Sequence, residues 1–493
     1  MFKKLSVAAI CLAFCASAIA QDAKTVIANA QKALGDPKSI TYSGSAKDVA
    51  FQQCGANATD MTCKGTHDPM RPINNYVRVI DLTAPASRHT GTTNNIGPGG
   101  STTVTPGTFF QQVTAEQADV SRHVSQPWAG SLEFYITPWG FLKGAAENNA
   151  TVSHRKVDGK KYAVLTWSPA VKAPSGKSYV INGYVDDHNM VDRVETWLGE
   201  NIMGDMHIVA TYTGWKDFGG AMAPSKVVQT RGGWPFFEVD VTAAKANPPD
   251  VATLVPAPAG RPGGPGGGAP PAPGPMTVTA EKLGDGLYRL TTGPGSYDSV
   301  IVEFKDYIMM LEAGQSEARG LAYIAETKKL IPNKPIRYVM NTHPHSDHTG
   351  GLPALVAEGA TIITQKNNEE FLEKALNTPR TLLNDTLAKN PKKAKIEAVS
   401  EKKVYSDGTR TVEMYHVSPV PHSNGLMIAY IPKEKILFQG DFSLPNPGEP
   451  ANDHVKALVP ILEKLNLDFD RYINVHTSAT PQTKADLWKA VGK

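Results

Sequence analysis

Hydrophobic and polar positions alternate along much of the first half of the chain, and a period of two residues is typical of β-strands. A helix is predicted first, over residues 23–34, where Gly35 ends it. Alternating runs bounded by Gly, Asn and Asp then predict strands at Tyr76–Ile80, Lys161–Leu165, Ser178–Ile181 and His207–Tyr212. The first half is therefore predicted to be a mainly antiparallel, open sheet wrapped on a helix.

The second half mixes two periods. Short apolar runs predict strands at Leu287–Leu290, Val300–Phe304, Tyr307–Leu311 and Ile336–Met340. Between the last two runs, Leu321, Ile324, Ala325 and Lys328 follow helical spacing, which predicts a helix from Ser316 to Leu330. Strands alternating with helices indicate an α/β domain.

A low-complexity segment separates the two halves. Residues 256–275 contain only Pro, Gly and Ala apart from Arg261, and such a segment cannot bury apolar surface. The predicted organisation is therefore a β-rich accessory domain over residues 21–255, a linker over 256–275 and a second domain over 276–493. A tether of this composition transmits little strain, so residues 276–493 are expected to fold alone.

The first twenty residues resemble an export signal. Lys3 and Lys4 precede the apolar run Leu5–Ala16, and Ala18-Ile19-Ala20 offers small residues for cleavage after Ala20. An uncleaved anchor helix is the alternative. No later apolar stretch approaches 18 residues, so no stable membrane span is expected and the protein is expected to be periplasmic or secreted. The mature chain keeps Cys54 and Cys63, expected to form a disulfide in an oxidising compartment, with two free thiols as the alternative.

Composition narrows the class of partner. The chain has 493 residues, 41% apolar and 20% charged, so a packed core is expected and wholesale disorder is not. The formal charge is only +3 at pH 7. Nucleic-acid-binding proteins usually carry a strong basic excess, so no nucleic-acid partner is expected. The sequence leaves the oligomeric state open.

A cluster of metal-ligand residue types follows the strand that ends at Met340. His343, His345, Asp347 and His348 lie within six positions, and two glycines come soon after them. Imidazole nitrogens and carboxylate oxygens are good ligands for borderline divalent metals. A loop can turn alternate side chains to opposite sides. His343 and His345 would then serve one metal, and Asp347 with His348 a second metal beside it.

This HxHxDH segment resembles the signature of the metallo-β-lactamase superfamily, and the resemblance covers residues 276–493 only. It implies an αββα sandwich and a set of further ligands: His422 for the first metal, Asp441 as a bridging carboxylate and His476 for the second metal. His454 is a rival for the role of His476. The accessory domain resembles, without a sharp motif, the half-barrel of periplasmic lipoprotein carriers.

The resemblance also implies a chemistry. Two zinc ions, with iron or manganese as alternatives, would share a hydroxide nucleophile that Asp347 orients and whose proton it can carry. Histidine at position 345 argues against the diiron flavoprotein branch, and Asp441 resembles the glyoxalase II, lactonase and phosphodiesterase branches. The expected function is an exported hydrolase of a small-molecule ester, lactone or lactam. The alternatives are a mononuclear iron dioxygenase like the persulfide dioxygenases, and a binding protein with a degenerate hydrolase domain.

Overall fold

The computed structural model describes residues 22–49, 70–96, 102–112, 127–255, 276–293, 297–445, 449–476 and 482–493. The proposed signal sequence, Cys54 and Cys63, and the Pro/Gly/Ala segment lie outside these ranges, so the expectations about them stay predictions. Within the described ranges, no helix is both long enough and apolar enough to cross a membrane.

Eleven strands of the first domain form one sheet in which every neighbouring pair is antiparallel. In chain order these strands are β1 (Ser39–Asp48), β2 (Arg71–Asp81), β3 (Ala86–Ile96), β4 (Thr102–Gln112), β5 (Thr151–Val157), β6 (Lys160–Trp167), β7 (Ile181–Val185), β8 (Val191–Glu200), β9 (Gly204–Thr213), β12 (Lys226–Arg231) and β13 (Trp234–Ala246), while β10 (Lys216–Asp217) and β11 (Met222–Ala223) form a separate pair. The spatial order is β4-β3-β2-β1-β13-β12-β9-β8-β7-β6-β5. Register is set early in β1, where Ile40 lies opposite Ala246 of β13 and Ile80 of β2.

Helices supply the remaining core of this domain. They are α1 (residues 22–33), α2 (Pro127–Tyr135), α3 (Pro138–Glu147) and the single turn α4 (Val251–Leu254). The Thr137 side chain accepts the Gly140 N–H, and proline follows it at the first helical position, so α3 begins with a favourable cap. The helices and the sheet bury a cluster of aromatic side chains that includes Trp128 and Phe141.

The strand predicted at Ser178–Ile181 is the one element placed wrongly, because β7 begins only at Ile181. Tyr179 is fully buried, but its ring stacks on Trp128 at a centroid distance of 5.8 Å rather than standing on the pleated sheet. Ser178 forms only an isolated antiparallel bridge with Lys172, so the alternation of polar and apolar residues recorded burial rather than a continuous strand at this position.

The described residues of the second domain form two sheets. The seven-stranded sheet, in spatial as well as chain order, consists of β14 (Thr279–Gly284), β15 (Leu287–Thr291), β16 (Ser299–Glu303), β17 (Ile308–Leu311), β18 (Ile336–Met340), β19 (Thr361–Gln365) and β20 (Lys395–Val399). The six-stranded sheet consists of β21 (Lys402–Ser406), β22 (Thr411–His416), β23 (Met427–Ile431), β24 (Ile436–Gln439), β25 (Arg471–Asn474) and β26 (Gln482–Thr483). Strands β17 to β20 are parallel to one another, as are β24 and β25.

Helices cover the outer faces of both sheets. The helices of this domain are α5 (Glu317–Leu330), α6 (Ser346–Thr349), α7 (Leu352–Glu358), α8 (Glu369–Leu376), α9 (Thr386–Lys389), α10 (Asp453–Leu465) and α11 (Lys484–Ala490). One apolar cluster lies between the sheets and joins residues such as Met309 and Phe438. A second cluster packs α10 and α11 on the six-stranded sheet, and α5, α7 and α8 pack on the other. This confirms the predicted fold class, an αββα sandwich preceded by a mainly antiparallel sheet domain.

The two domains pack against each other. One continuous apolar cluster contains Ile202 and Met203 of the first domain together with Leu372 and Leu376 of the second. At its edge the rings of Trp234 and Phe371 lie 5.5 Å apart. The composition of the linker suggested loose tethering, but it carried no information about this interface, which is built from segments distant from the linker in sequence.

Candidate metal centre

The predicted metal-ligand loop begins at the carboxyl end of β18, in the interior of the domain. Asn341 fixes its shape, because the side-chain amide donates to the carbonyls of His343 at 2.7 Å and His348 at 3.2 Å. The single turn α6 then places Asp347 and His348 next to each other, with the N–H of His348 bonded to the carbonyl of His345 at 2.9 Å. A buried polar side chain thus holds together a loop that has little regular secondary structure.

The two glycines that follow α6 allow the loop to approach the chain after β17. A Cβ at Gly350 would lie 1.9 Å from the carbonyl oxygen of Gln315, and one at Gly351 would lie 2.0 Å from that of Ala313. Any side chain at these positions would push the loop away from its support.

A first group of ligand atoms is formed by His343, His345, His422 and Asp441, all within 4.8 Å of one another. His422 comes from the loop before β23, and Asp441 follows β24. The Nε2 atoms of His343 and His422 are only 3.0 Å apart. Nitrogen donors that converge so closely fit a cation placed between them.

A second group consists of Asp347, His348 and His476, again within 4.8 Å of one another. Asp441 faces both groups. Its Oδ1 lies 2.9 Å from Nε2 of His348 and from Nε2 of His476, and its Oδ2 lies 3.1 Å from Nε2 of His422. The seven predicted ligands are therefore brought together, with one carboxylate between two sets of nitrogen atoms.

The charges in this cluster depend on one another. Burial, together with the neighbouring His348, holds the pKa of His343 well below its usual value. Burial also acts to lower the pKa of His348, but Asp441 and Asp347 outweigh it and raise the pKa well above its usual value. Burial alone would raise the pKa of Asp441, but His348, His343 and His422 bring it well below its ordinary value. The directions favour a neutral imidazole at 343 and a carboxylate at 441, which are ligand forms, whereas the raised pKa of His348 means that a metal at the second set would have to displace a proton from that ring.

His454, the rival ligand, belongs to neither group. It lies on α10 with its ring 4.8 Å from that of His422, and it is buried. Burial and the nearby His422 lower its pKa, against hydrogen bonds with the backbone of Asp441 and Pro421. It therefore supports the loop that carries His422 and the loop that carries Asp441, without being a ligand itself.

The sequence analysis missed Glu312. It follows β17, is fully buried, and its Oε2 accepts hydrogen bonds from the backbone N–H and the hydroxyl of Thr342. The same oxygen lies 3.2 Å from Nδ1 of His348, so it directs the Nε2 of that ring towards Asp441. A carboxylate directly after the apolar strand Ile308–Leu311 was the available signal.

The sequence analysis also missed Tyr297. Its hydroxyl donates to Oδ2 of Asp347 at 3.0 Å, and its ring lies 4.7 Å from that of His476. The chain is held here by a hydrogen bond from the N–H of Asp298 to the carbonyl of Val475 at 2.6 Å. Nothing in the sequence indicated this contact, because 50 residues separate Tyr297 from Asp347.

Among the described residues, a further cluster of ligand types, Asp186, Asp187 and His188, lies on a turn of the first domain. Oδ1 of Asp186 already accepts the backbone N–H groups of His188 and Met190, at 2.9 and 2.8 Å. Asp187 and His188 are exposed. The arrangement is that of an Asx-type turn.

The comparisons with known proteins concern the second domain. The family model of the metallo-beta-lactamase superfamily matches residues 292–480. Among solved structures, a metallo-beta-lactamase from Pontibacter korlensis is 16% identical, with 43% of this chain and 95% of that chain covered and a TM-score of 0.32. DIM-1 metallo-beta-lactamase is 17% identical, with 43% and 94% covered and a TM-score of 0.34. TMB-1 is 15% identical, with the same coverage and a TM-score of 0.33.

Identities this low carry no information about the substrate of this chain. The match to the family model and the ligand set instead identify the kind of domain that these residues form. Residues 292–480 form a metallo-β-lactamase superfamily domain with a His/Asp cluster able to bind metal.

Proposed function

We propose that this protein is an exported, binuclear zinc hydrolase that acts on a small-molecule ester, lactone or lactam. The observation that carries the proposal is Asp441, whose two carboxylate oxygens face two separate sets of imidazole nitrogens. A carboxylate in this position suits two cations, because it offsets their mutual repulsion while contributing an oxygen to each.

The chemistry of the donors fits two divalent ions of borderline softness. The first set, His343, His345 and His422 with Asp441, offers three nitrogens and one oxygen, and the second offers His348, His476, Asp347 and the other oxygen of Asp441. When bound, such ions supply Lewis acidity and a hydroxide nucleophile at neutral pH.

The residues around the ligands supply order and proton transfer. Tyr297 holds one oxygen of Asp347 by hydrogen bonding, which keeps that carboxylate turned into the site to orient a water molecule and accept its proton. Glu312 and Thr342 contact Nδ1 of His348 at 3.2 and 3.4 Å and fix its ring, and Asn341 fixes the loop. The site is thus ordered before substrate arrives.

The substrate class rests on the ligand set and on the export pattern. Aspartate at 441 resembles the glyoxalase II, lactonase and phosphodiesterase branches, and export argues against glutathione thioesters and tRNA precursors, which are cytosolic. The proposed cleavage after Ala20 rests on the sequence pattern. Mass spectrometry of the mature protein would test it.

The function is tested on full-length protein purified without chelator. We expect about two zinc ions per chain and metal-dependent turnover of at least one class among esters, lactones, β-lactams and phosphodiesters. His343→Ala combined with His345→Ala should empty the first set and abolish turnover. His154→Ala, an exposed histidine of the first domain, is the matched control. One iron per chain with oxygen consumption would instead support the dioxygenase alternative, and no bound metal would refute both.

A further inference from the structure

The hairpin formed by β8 and β9 is the part of the first domain that contacts the metal-ligand loop. At its turn, Nδ2 of Asn201 donates to the carbonyl oxygen of Gly350 at 2.8 Å. The backbone carbonyl of Asn201 accepts a hydrogen bond from Arg380 at 2.6 Å. One residue of the first domain therefore contacts the second domain through both its side chain and its backbone.

The turn is held in a fixed shape. Glu200 is buried, and its Oε2 accepts the backbone N–H groups of Ile202 and Met203 at 2.8 and 2.7 Å. Gly204 has a φ of +61°, and a Cβ there would lie 2.5 Å from the carbonyl oxygen of Pro379. A turn with this many internal and docking constraints can hold the Asn201 amide at one position.

The partner on the second domain is equally fixed. Arg380 is buried and forms an ion pair with Asp385, with Nε 3.0 Å from Oδ2. A guanidinium held by a carboxylate presents its remaining N–H groups in a defined direction. The bond from Arg380 to the Asn201 carbonyl therefore fixes where the hairpin meets the loop.

Gly350 links the Asn201 contact to the metal ligands. It is the C-terminal cap of α6, the turn that carries Asp347 and His348. The last carbonyls of a helix lack partners within the helix, and the Asn201 amide satisfies this one. Pressed between the Gln315 backbone on one side and Asn201 on the other, α6 has little freedom to shift.

We infer that Asn201 is a positioning residue for the second ligand set, so that the first domain completes the metal centre of the second. The inference rests on the proposed function, because it assumes that the second set holds a metal. It gives the sheet domain a role at the site that does not require contact with the substrate.

A second contact of the same hairpin provides a control. The carboxylate of Asp205 accepts the backbone N–H groups of Thr381 and Leu382 at 2.8 and 2.9 Å. This contact docks the hairpin but does not touch α6. Asn201→Asp and Asp205→Asn are both isosteric changes on one hairpin, and only the first removes the donor to the Gly350 carbonyl.

The experiment measures zinc affinity at both sites of the full-length protein by competition with a chromophoric chelator, and the visible spectrum of the cobalt-substituted protein. For Asn201→Asp we expect an affinity about tenfold lower at the second site. This is the lower end of the effect of losing a direct partner of a ligand, because Asn201 acts on the ligands only through the backbone of Gly350. The first site should change less, and the cobalt spectrum of the second site should change. Asp205→Asn should leave both affinities unaltered.

The outcomes separate the two proposals. Wild-type protein that binds no metal refutes the proposed function. Wild-type protein with two metals and an Asn201→Asp variant of equal second-site affinity overturns only the positioning role. Equal losses in Asn201→Asp and Asp205→Asn also overturn it, because general docking would then explain the effect. If Asn201→Asp does not fold, Asn201→Ala, which removes the donor without adding charge, is measured against the same criteria.

Discussion

Gly350→Ala adds a single methyl group, and we expect it to weaken zinc binding at the second ligand set strongly. The backbone at Gly350 is right-handed helical, with φ −58° and ψ −29°, so alanine is compatible with it. The obstacle is space, because the new Cβ would lie 1.9 Å from the carbonyl oxygen of Gln315 and 2.4 Å from its carbon. Since Cβ contacts essentially never fall below 3.0 Å, the two segments must separate by at least 1.1 Å, the difference between 3.0 and 1.9 Å.

That displacement is large on the scale of metal coordination. Ligand distances in a functional site are held to within about 0.2 Å, and α6 carries two of the proposed ligands. We therefore expect zinc affinity at the second set to fall on the order of 100-fold. The overpacking itself should lower the free energy of unfolding of the metal-free protein by about 1–3 kcal/mol.

Zinc content after dialysis against graded zinc buffers, together with urea unfolding of the metal-free protein, measures both effects. Gly284→Ala in β14 is the matched control, because its Cβ would have side-chain atoms as nearest neighbours, of Glu434 at 3.2 Å and of Leu287 at 3.8 Å, and no backbone atom below 3.0 Å. If Gly350→Ala keeps two zinc ions with wild-type affinity, α6 is not pinned against Gln315 and the reasoning is refuted.

Three further perturbations have defined outcomes. Tyr297→Phe removes a hydrogen bond to the Asp347 carboxylate, worth about 1.5–3 kcal/mol, so kcat of the zinc-saturated protein should fall at least about tenfold with KM unchanged, and the zinc affinity of the second set should fall as well because Asp347 belongs to it; equal kcat would contradict it. Burial acts to raise the pKa of Glu195, but hydrogen bonds from His207 and Tyr184 outweigh burial and lower the pKa to about 2. The ionised carboxylate therefore stabilises the folded protein at pH values above the unfolded pKa, near 4.5, and this stabilisation is lost as the pH falls towards 2. In urea unfolding, Glu195→Gln should therefore be less stable than wild type by about 1–2 kcal/mol at pH 6, after allowance for solvent screening, and by less at pH 3; a pH-independent difference would count against this. Residues 276–493 expressed alone, without the Asn201 contact, should bind the second zinc about tenfold more weakly than the full chain, and equal affinity in a zinc titration would contradict this.

Local pattern predicted most of the fold. Ile336–Met340 and Leu287–Leu290 were apparent as apolar runs, and Ser316 was expected to begin α5, whose first turn its side chain caps. At Tyr179 the same reasoning failed, because an aromatic ring can be buried by stacking without a strand beneath it. Periodicity records which side chains are buried, and only the surrounding chain determines how.

The candidate site likewise has residues that the sequence could predict and residues that it could not. Histidine and aspartate at fixed spacing are informative by residue type, so the four ligands of the first motif could be proposed from sequence. Tyr297 and Asn201 are not, because a tyrosine or an asparagine in a loop has many uses. Their contacts join positions 50 and 149 residues apart in the chain, and only the folded topology brings them together.

Those long separations bear on how the metal centre forms. The bond between Asn201 and Gly350 closes a loop of 149 residues, and His422 meets His343 across 79. Contacts this distant in sequence require the entropy of closing long loops to be overcome before they give any stabilisation, so such sites form slowly and late in folding. A chain that has made its sheets but not yet docked its hairpin would hold an incomplete centre of low metal affinity. Metal that binds only the finished arrangement shifts the equilibrium towards it by mass action, so the concentration of free metal around the newly made protein would help to set the yield of folded protein.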